Sequence, residues 1–208
     1  KEAGAKKPLT TTYILLRAVD WSFANKARVL NLSFTGPHDD AVRNALMAAH
    51  RKGVILVAAA GNGGPRAPAA YPAAYSEVLA ITALDKANRL YKKANQGSYV
   101  TAAAPGVDVL VPVPNAGYDV KSGTSFAAAH NSGLIELMLE RNPTLTNAEN
   151  RSHIRSAAID LGPKVHDVQF GAGRANAFAT LQVLIGGSDS SSPIAQSKAS
   201  VSNASDKR

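Results

Sequence analysis

The order of predicted elements points to an α/β fold with a central, mostly parallel sheet, and three observations carry that expectation. The first is the unbroken apolar run Val54-Ile55-Leu56-Val57-Ala58-Ala59-Ala60, which reads as a strand covered on both faces. The second is the segment before it, where Val42, Ala45, Leu46 and Ala49 recur at helical spacing and Gly53 marks the end. The third is the brevity of the turns between such units, which implies right-handed parallel crossovers.

Taken in order, residues 12–25 form a first helix with Ile14, Leu15, Ala18, Trp21 and Ser22 on one face, delivering a strand over residues 29–34. Asp39 or Asp40 caps the second helix, and the strand over residues 54–59 follows. Further strands are expected over residues 78–83, 99–103 and 107–113. Asn115-Ala116-Gly117 then turns the chain back to a strand over residues 118–121. Residues 124–140 read as a helix with Ala127, Ala128, Gly133, Leu134, Leu137 and Met138 buried, and Asn142-Pro143 stops it. An amphipathic helix over residues 147–158 carries Ala148, Ile154 and Ala157. A last one carries Ala177, Phe178, Leu181 and Leu184. One α/β domain, or most of one, over residues 1–185 is therefore expected. Residues 186–208, rich in Gly, Ser, Ala and Lys, are read as a disordered tail or linker.

Chemistry concentrates in two segments. Gly123-Thr124-Ser125 places Ser125 in the first turn of a helix, where free N–H groups and the positive dipole end stabilise an oxyanion. A Ser/Thr pair at a helix start is also simply a cap. Asn62, in Gly61-Asn62-Gly63, stands at the carboxyl end of the apolar strand, where active sites of open α/β sheets gather. Its side-chain amide would point at developing negative charge; its alternative reading is a turn residue.

Together these segments resemble the subtilisin-like serine proteases over roughly residues 12–181. Besides those two motifs, Val29-Leu30-Asn31-Leu32-Ser33-Phe34, Tyr71-Pro72-Ala73-Ala74-Tyr75 and Ala104-Pro105-Gly106 follow in that family's order. The resemblance implies a three-layer fold around a mostly parallel sheet. It makes Ser125 the acylated nucleophile, with the Asn62 side chain and the Ser125 N–H as the oxyanion hole. Ser33, Phe34, Thr35 and Gly36 would line one side of a peptide cleft and Ala59, Ala60 and Gly61 the other. It further implies a cis bond at Tyr71-Pro72 and a weak cation site on carbonyls near Ala73, Tyr75 and Val78. Calcium is a common stabiliser in this family, but no metal ligand is assigned here, and no cofactor is expected.

In this family the order along the chain is Asp, His, Ser. Neither an Asp-Thr/Ser-Gly nor a His-Gly-Thr-His pattern occurs. None of the five histidines, His38, His50, His130, His153 and His166, stands in the expected context: His38, His50 and His153 have surface or capping settings, and His130, one turn past Ser125, is directed away from the hydroxyl. The chain is therefore read as the carboxyl-terminal portion of a catalytic domain whose amino-terminal part, carrying Asp and His, is missing. On its own it is expected to be inactive. Phe126 and Ala129 replace the usual Met and Pro, and Asn131 and Ser132 place polar groups on a helix expected to be buried. A serine endopeptidase is the leading reading, and a non-catalytic pseudopeptidase or peptide-binding module the alternative. The Gly-x-Ser-x-Gly elbow of α/β-hydrolases is absent.

Composition narrows the partners. At 208 residues and 45% hydrophobic, the chain suits one α/β domain or most of one. The net charge of +8 is scattered without aromatic interleaving or a recognition module, so no nucleic-acid partner is expected. No apolar run reaches the roughly 18 residues of a membrane span. The absence of cysteine excludes disulfides and thiolate metal sites. The resemblance implies a polypeptide substrate and a secreted or periplasmic location.

Overall fold

The computed structural model describes residues 10–163 and 166–189. Helix α1 (Thr12–Ala24), strand β1 (Val29–Leu32), helix α2 (Asp40–Arg51) and strand β2 (Ile55–Ala59) lead into strands β3 (Val78–Leu84) and β4 (Val100–Pro105). The four strands form one parallel sheet in the order β1-β2-β3-β4. Strands β5 (Val109–Val113) and β6 (Gly117–Lys121) form a separate antiparallel hairpin. Helices α3 (Thr124–Arg141), α4 (Asn147–Ser156) and α5 (Ala177–Asp189) follow.

Period-two alternation along buried strands produces the layers. Leu56, Ala58, Val78 and Ala80 face Leu32, Val42, Leu46 and Ala49 on one side. Ile55, Val57, Ala59, Leu79 and Ile81 face Ala127, Ala128, Leu134, Ile135 and Met138 on the other. The sheet thus lies between α1 with α2 and α3 with α4 and α5, the three-layer α/β arrangement expected. Asp39 begins α2: its Oδ1 accepts from the Val42 N–H at 3.0 Å, and its Oδ2 accepts from the Thr12 hydroxyl, joining the starts of α1 and α2. The Thr12 hydroxyl and the Val42 N–H hold the Asp39 carboxyl below the usual carboxylate range. A capping box between Thr146 and Glu149 starts α4.

Several expected placements are corrected by tertiary packing. In α1, Leu15 of the expected face turns inward and is joined by Val19, whereas Ile14 and Trp21 are 55% and 67% exposed, so the packed face is only partly the one expected. In α3, Gly133 and Leu137 face outward, and Asn131, Ile135 and Leu139 are buried in their stead. That face is the one laid across all four strands. In α4, Ile154 is buried while Ala148 is exposed, and in α5 Phe178 is exposed while Leu181 and Leu184 pack on the core. Strand β1 ends at Leu32, leaving Ser33 and Phe34 outside it. Helix α5 continues to Asp189, past the expected boundary at residue 185; of the tail expected over residues 186–208, residues 190–208 lie outside the described residues. The Tyr71-Pro72 bond is cis, as the resemblance implied.

Asn131 is 1% exposed, and neither side-chain polar atom has a hydrogen-bond partner among the described residues. Ser132, by contrast, donates to the Ala128 carbonyl at 3.0 Å. An unsatisfied buried amide costs about 1–3 kcal/mol. The apolar substitution Asn131→Val is accordingly expected to stabilise the fold by about 1 kcal/mol, read as a higher urea midpoint at unchanged slope.

The two edges of the sheet differ. Alongside β4, the Ala103 N–H donates to the Gly173 carbonyl at 2.8 Å, and the Ala103 carbonyl accepts from Ala175 at 2.8 Å. β1 is paired with β2 on one side and has no strand on the other among the described residues.

Candidate active site

The carboxyl ends of β1 and β2 and the start of α3 converge on one place. β1 runs out into Ser33, β2 into Gly61 and Asn62, and Gly123 begins α3 with Thr124 and Ser125 in its first turn. Close backbone approach makes this possible. The Gly123 N–H donates to the Gly106 carbonyl at 2.7 Å, and a Cβ on Gly106 would stand 2.8 Å from the Gly123 oxygen and 2.7 Å from the Ala83 Cβ. Only glycine fits there, which accounts for Gly106 after Ala104-Pro105.

Thr124, fully buried, fixes the strand end. Its hydroxyl accepts from the Gly61 N–H at 3.2 Å and donates to Asn62 Oδ1 at 3.0 Å, while its own N–H also donates to Asn62 Oδ1 at 3.0 Å. With Oδ1 occupied twice, the amide orientation of Asn62 is determined, and Nδ2 is the end left over. Among the described residues neither Asn62 Nδ2 nor the Ser125 N–H has a hydrogen-bond partner. Two unengaged donors at a helix N-terminus make a receptor for negative charge.

Ser125 is partly exposed. Its hydroxyl donates to the Ser33 carbonyl at a long 3.5 Å, and the Ser33 hydroxyl donates back to the Ser125 carbonyl at 3.2 Å. Ser33 is thus beside the serine. Phe34, Thr35 and Gly36 line a cavity of about 450 Å³ together with Leu15, Val42 and Tyr71. Gly36 and Tyr71 exchange backbone hydrogen bonds at 2.8 and 3.1 Å, which bends that loop around the cavity.

Ala59, Ala60 and Gly61 do not form an exposed cleft wall. All three are buried, because the sheet is covered on both faces. The Ala60 carbonyl accepts from the Tyr99 hydroxyl at 2.9 Å, its N–H donates to Ile81 at 3.0 Å, and the Gly61 carbonyl accepts from the Asn95 N–H at 3.0 Å. They support the site from behind. Asn95 is a positioning residue that sequence reasoning missed. It is buried, its Oδ1 accepts from the Gly63 N–H at 2.7 Å, and its Nδ2 donates to the Pro68 carbonyl at 3.1 Å. Gly61 has φ +115°, and a Cβ there would stand 2.6 Å from Asn95 Nδ2. The Asn62 loop is therefore pinned between Asn95 and Thr124. A lone Asn in the irregular segment Lys93-Ala94-Asn95-Gln96-Gly97 carries no periodic signal that would have revealed this.

None of the five histidines hydrogen-bonds Ser125 Oγ among the described residues. His130 Nδ1 lies 2.9 Å from the Phe126 carbonyl, one turn back along its own helix. His38 stacks edge-on against Tyr71 and Tyr75. His50 Nδ1 meets Asn147 Nδ2 at 2.9 Å, and burial pushes its imidazole below the usual value, in keeping with a ring that accepts at Nδ1. His153 lies in α4, and His166 lies by Arg151 and Arg155, away from the serine.

A parallel sheet between helical layers, with a helix-borne serine beside an asparagine at the end of the adjacent strand, defines the class of α/β serine peptidase domains. The family model described as the subtilase family, Peptidase_S8, matches residues 3–173, and the chain belongs to that family. It is 38% identical over 160 residues to the minor extracellular protease Epr of Bacillus subtilis, covering 76% of this chain and 25% of that protein. It is 32% identical over 172 residues to subtilisin of Bacillus pumilus, covering 81% of this chain and 62% of the relative. The chain thus spans a quarter to about three fifths of these relatives' length. Among solved structures, a serine-to-alanine variant of the PatA protease domain superposes with TM-score 0.76 at 28% identity, covering 88% of this chain and 68% of that one. The prenylagaramide maturation protease PagA superposes with TM-score 0.74 at 26% identity, covering 87% and 71%. No helix among the described residues is long and apolar enough to cross a membrane.

Proposed function

We propose that the complete protein is a secreted or periplasmic serine endopeptidase in which Ser125 is the nucleophile and Asn62 an oxyanion donor. The observation that carries this reading is the pair of unengaged donors, Asn62 Nδ2 and the Ser125 N–H, held beside the serine by Thr124. Ser125 Oγ attacks the scissile carbonyl carbon and its proton passes to a histidine base. The tetrahedral oxygen receives hydrogen bonds from the two donors. The C–N bond then breaks as the base returns the proton to the leaving amine, and water hydrolyses the acyl ester.

The base and its orienting carboxylate belong to an amino-terminal segment that pairs with β1. Support comes from the sheet, whose strand-free edge lies on the Ser33 and Ser125 side, and from relatives longer than the chain. Ser33, Phe34, Thr35 and Gly36 flank the path of an extended polypeptide. The cavity that Phe34, Thr35 and Gly36 share with Leu15, Val42 and Tyr71 selects for an apolar substrate side chain. The secreted location rests on the family and on the extracellular relative.

The test compares the full-length gene product with the 208-residue chain on unstructured polypeptides. Cleavage by the former and little or none by the latter is expected. Well-folded full-length protein that binds peptides without cleaving them would favour the peptide-binding module instead.

A further inference from the structure

The turn from α2 into β2 is tied to the start of α4 through the side chain of Asn147, the first residue of α4. Its Nδ2 lies 3.2 Å from the His50 carbonyl, 3.2 Å from the Val54 carbonyl and 2.9 Å from His50 Nδ1. The two carbonyls decide which end of the amide is nitrogen, because the reversed amide would set oxygen against oxygen. Nδ2 therefore donates to the ring, and His50 is the neutral tautomer with its proton on Nε2. Asn147 Oδ1 is buried without a partner among the described residues, so the amide is held through its nitrogen.

We propose that His50 and Asn147 form an acid-sensitive latch between the α2–β2 turn and α4, closed while the imidazole is neutral and opened by a proton on Nδ1. Protonation turns the ring's acceptor into a donor that faces another donor, and Asn147 cannot reverse its amide without losing both carbonyls. Either the ring swings away or the amide withdraws, and both free the first turn of α4 from the α2–β2 turn. Helix α4 carries the fully buried Ile154 and packs on β4 and α5, so the latch helps to hold that layer on the sheet.

Charges around the ring set the direction of the response. A cavity of about 230 Å³ on one side is lined by Glu77, from the segment before β3, and by Arg151 of α4. A second cavity is lined by Arg28, ahead of β1, and by Arg51 and Lys52 at the end of α2. Burial opposes the charged ring most, Glu77 favours it and Arg151 opposes it, which leaves the imidazole less basic than usual. Glu77 Oε2 is buried without a partner among the described residues and offers an acceptor on the same cavity to a ring that has swung away. With the folded value lowered, the unfolded chain takes up the proton first. The stability contributed by the latch is whole above about pH 6.5, the value of a free imidazole, and is lost as pH falls through the lowered folded value.

The experiment measures thermal midpoints of the full-length product from about pH 8 to about pH 5.5, in a Ser125→Ala background so that self-cleavage does not intrude. His50→Asn is the informative variant, because an asparagine Oδ1 takes the place of the ring's Nδ1, accepts from Asn147 and does not titrate. The parent is expected to lose at least about 3 °C more than His50→Asn over this range, with the two close together at the alkaline end. Asn147→Ala, unlatched at every pH, should melt below the parent at the alkaline end and lose less on acidification. It carries the test if His50→Asn does not fold. An acid loss in the parent equal to or smaller than that of the variants, or failure of both variants to fold at the alkaline end, would overturn the proposal.

Discussion

Replacing Ser125 by alanine in the full-length protein is expected to lower kcat for peptide hydrolysis by roughly a millionfold, the scale seen when a subtilisin loses its nucleophile. The size follows from the chemistry. Without the hydroxyl no acyl-enzyme forms, and the histidine has no alcohol to deprotonate, so only binding and oxyanion stabilisation remain to assist water. The fold should survive, since Ser125 is partly exposed and its hydroxyl makes only a long bond to the Ser33 carbonyl. Unchanged urea unfolding together with lost turnover separates this outcome from a structural defect.

The second large effect belongs to Asn62. Asn62→Ala is expected to reduce kcat by about a hundred- to a thousandfold, with KM nearly unchanged, because the lost hydrogen bond exists only while the carbonyl oxygen carries negative charge. The range is that known for the oxyanion asparagine of a subtilisin. Thr124 gives the effect a distinctive origin here. Its N–H and hydroxyl both hold Asn62 Oδ1 at 3.0 Å, so Nδ2 faces the site before substrate arrives. Steady-state kinetics on a peptide substrate would show the split between kcat and KM. A rise in KM at constant kcat would place Asn62 in substrate binding instead.

Much of this arrangement was legible in the sequence where one-dimensional pattern is strong. The apolar run at residues 54–60 announced a strand buried on both faces, and the structure buries every residue of β2. Gly61-Asn62 and Gly123-Thr124-Ser125 were visible because small residues at an element boundary have few purposes. Which side of a helix meets the sheet was harder to read. Ile14 and Trp21 are as apolar as Leu15 and Val19, and only the position of α1 beside α2 decides between them. Asn131 misleads for the opposite reason, as a polar side chain in the buried face of α3. Asn95 and Arg151 act through contacts far along the chain, on Gly61 and Gly63 in one case and on Ser76, Val78 and Thr101 in the other. No local spacing encodes such partnerships.

Ala59, Ala60 and Gly61 show a related limit. The order of motifs put them next to the nucleophile, and they are there, but behind the site rather than facing it. Adjacency in sequence to Asn62 fixes position along the strand, whereas exposure depends on the layers packed above and below.

The central claim is that Ser125 is an activated nucleophile whose activation comes from a segment completing the β1 edge. A fluorophosphonate probe tests it most directly, because it reacts with serines that have both a base and an oxyanion hole. The full-length product should be labelled at Ser125, located by peptide mass, with labelling lost in Ser125→Ala, slowed in Asn62→Ala and weak or absent in the 208-residue chain. Folded full-length protein that remains unlabelled, or is labelled at another residue, would contradict it.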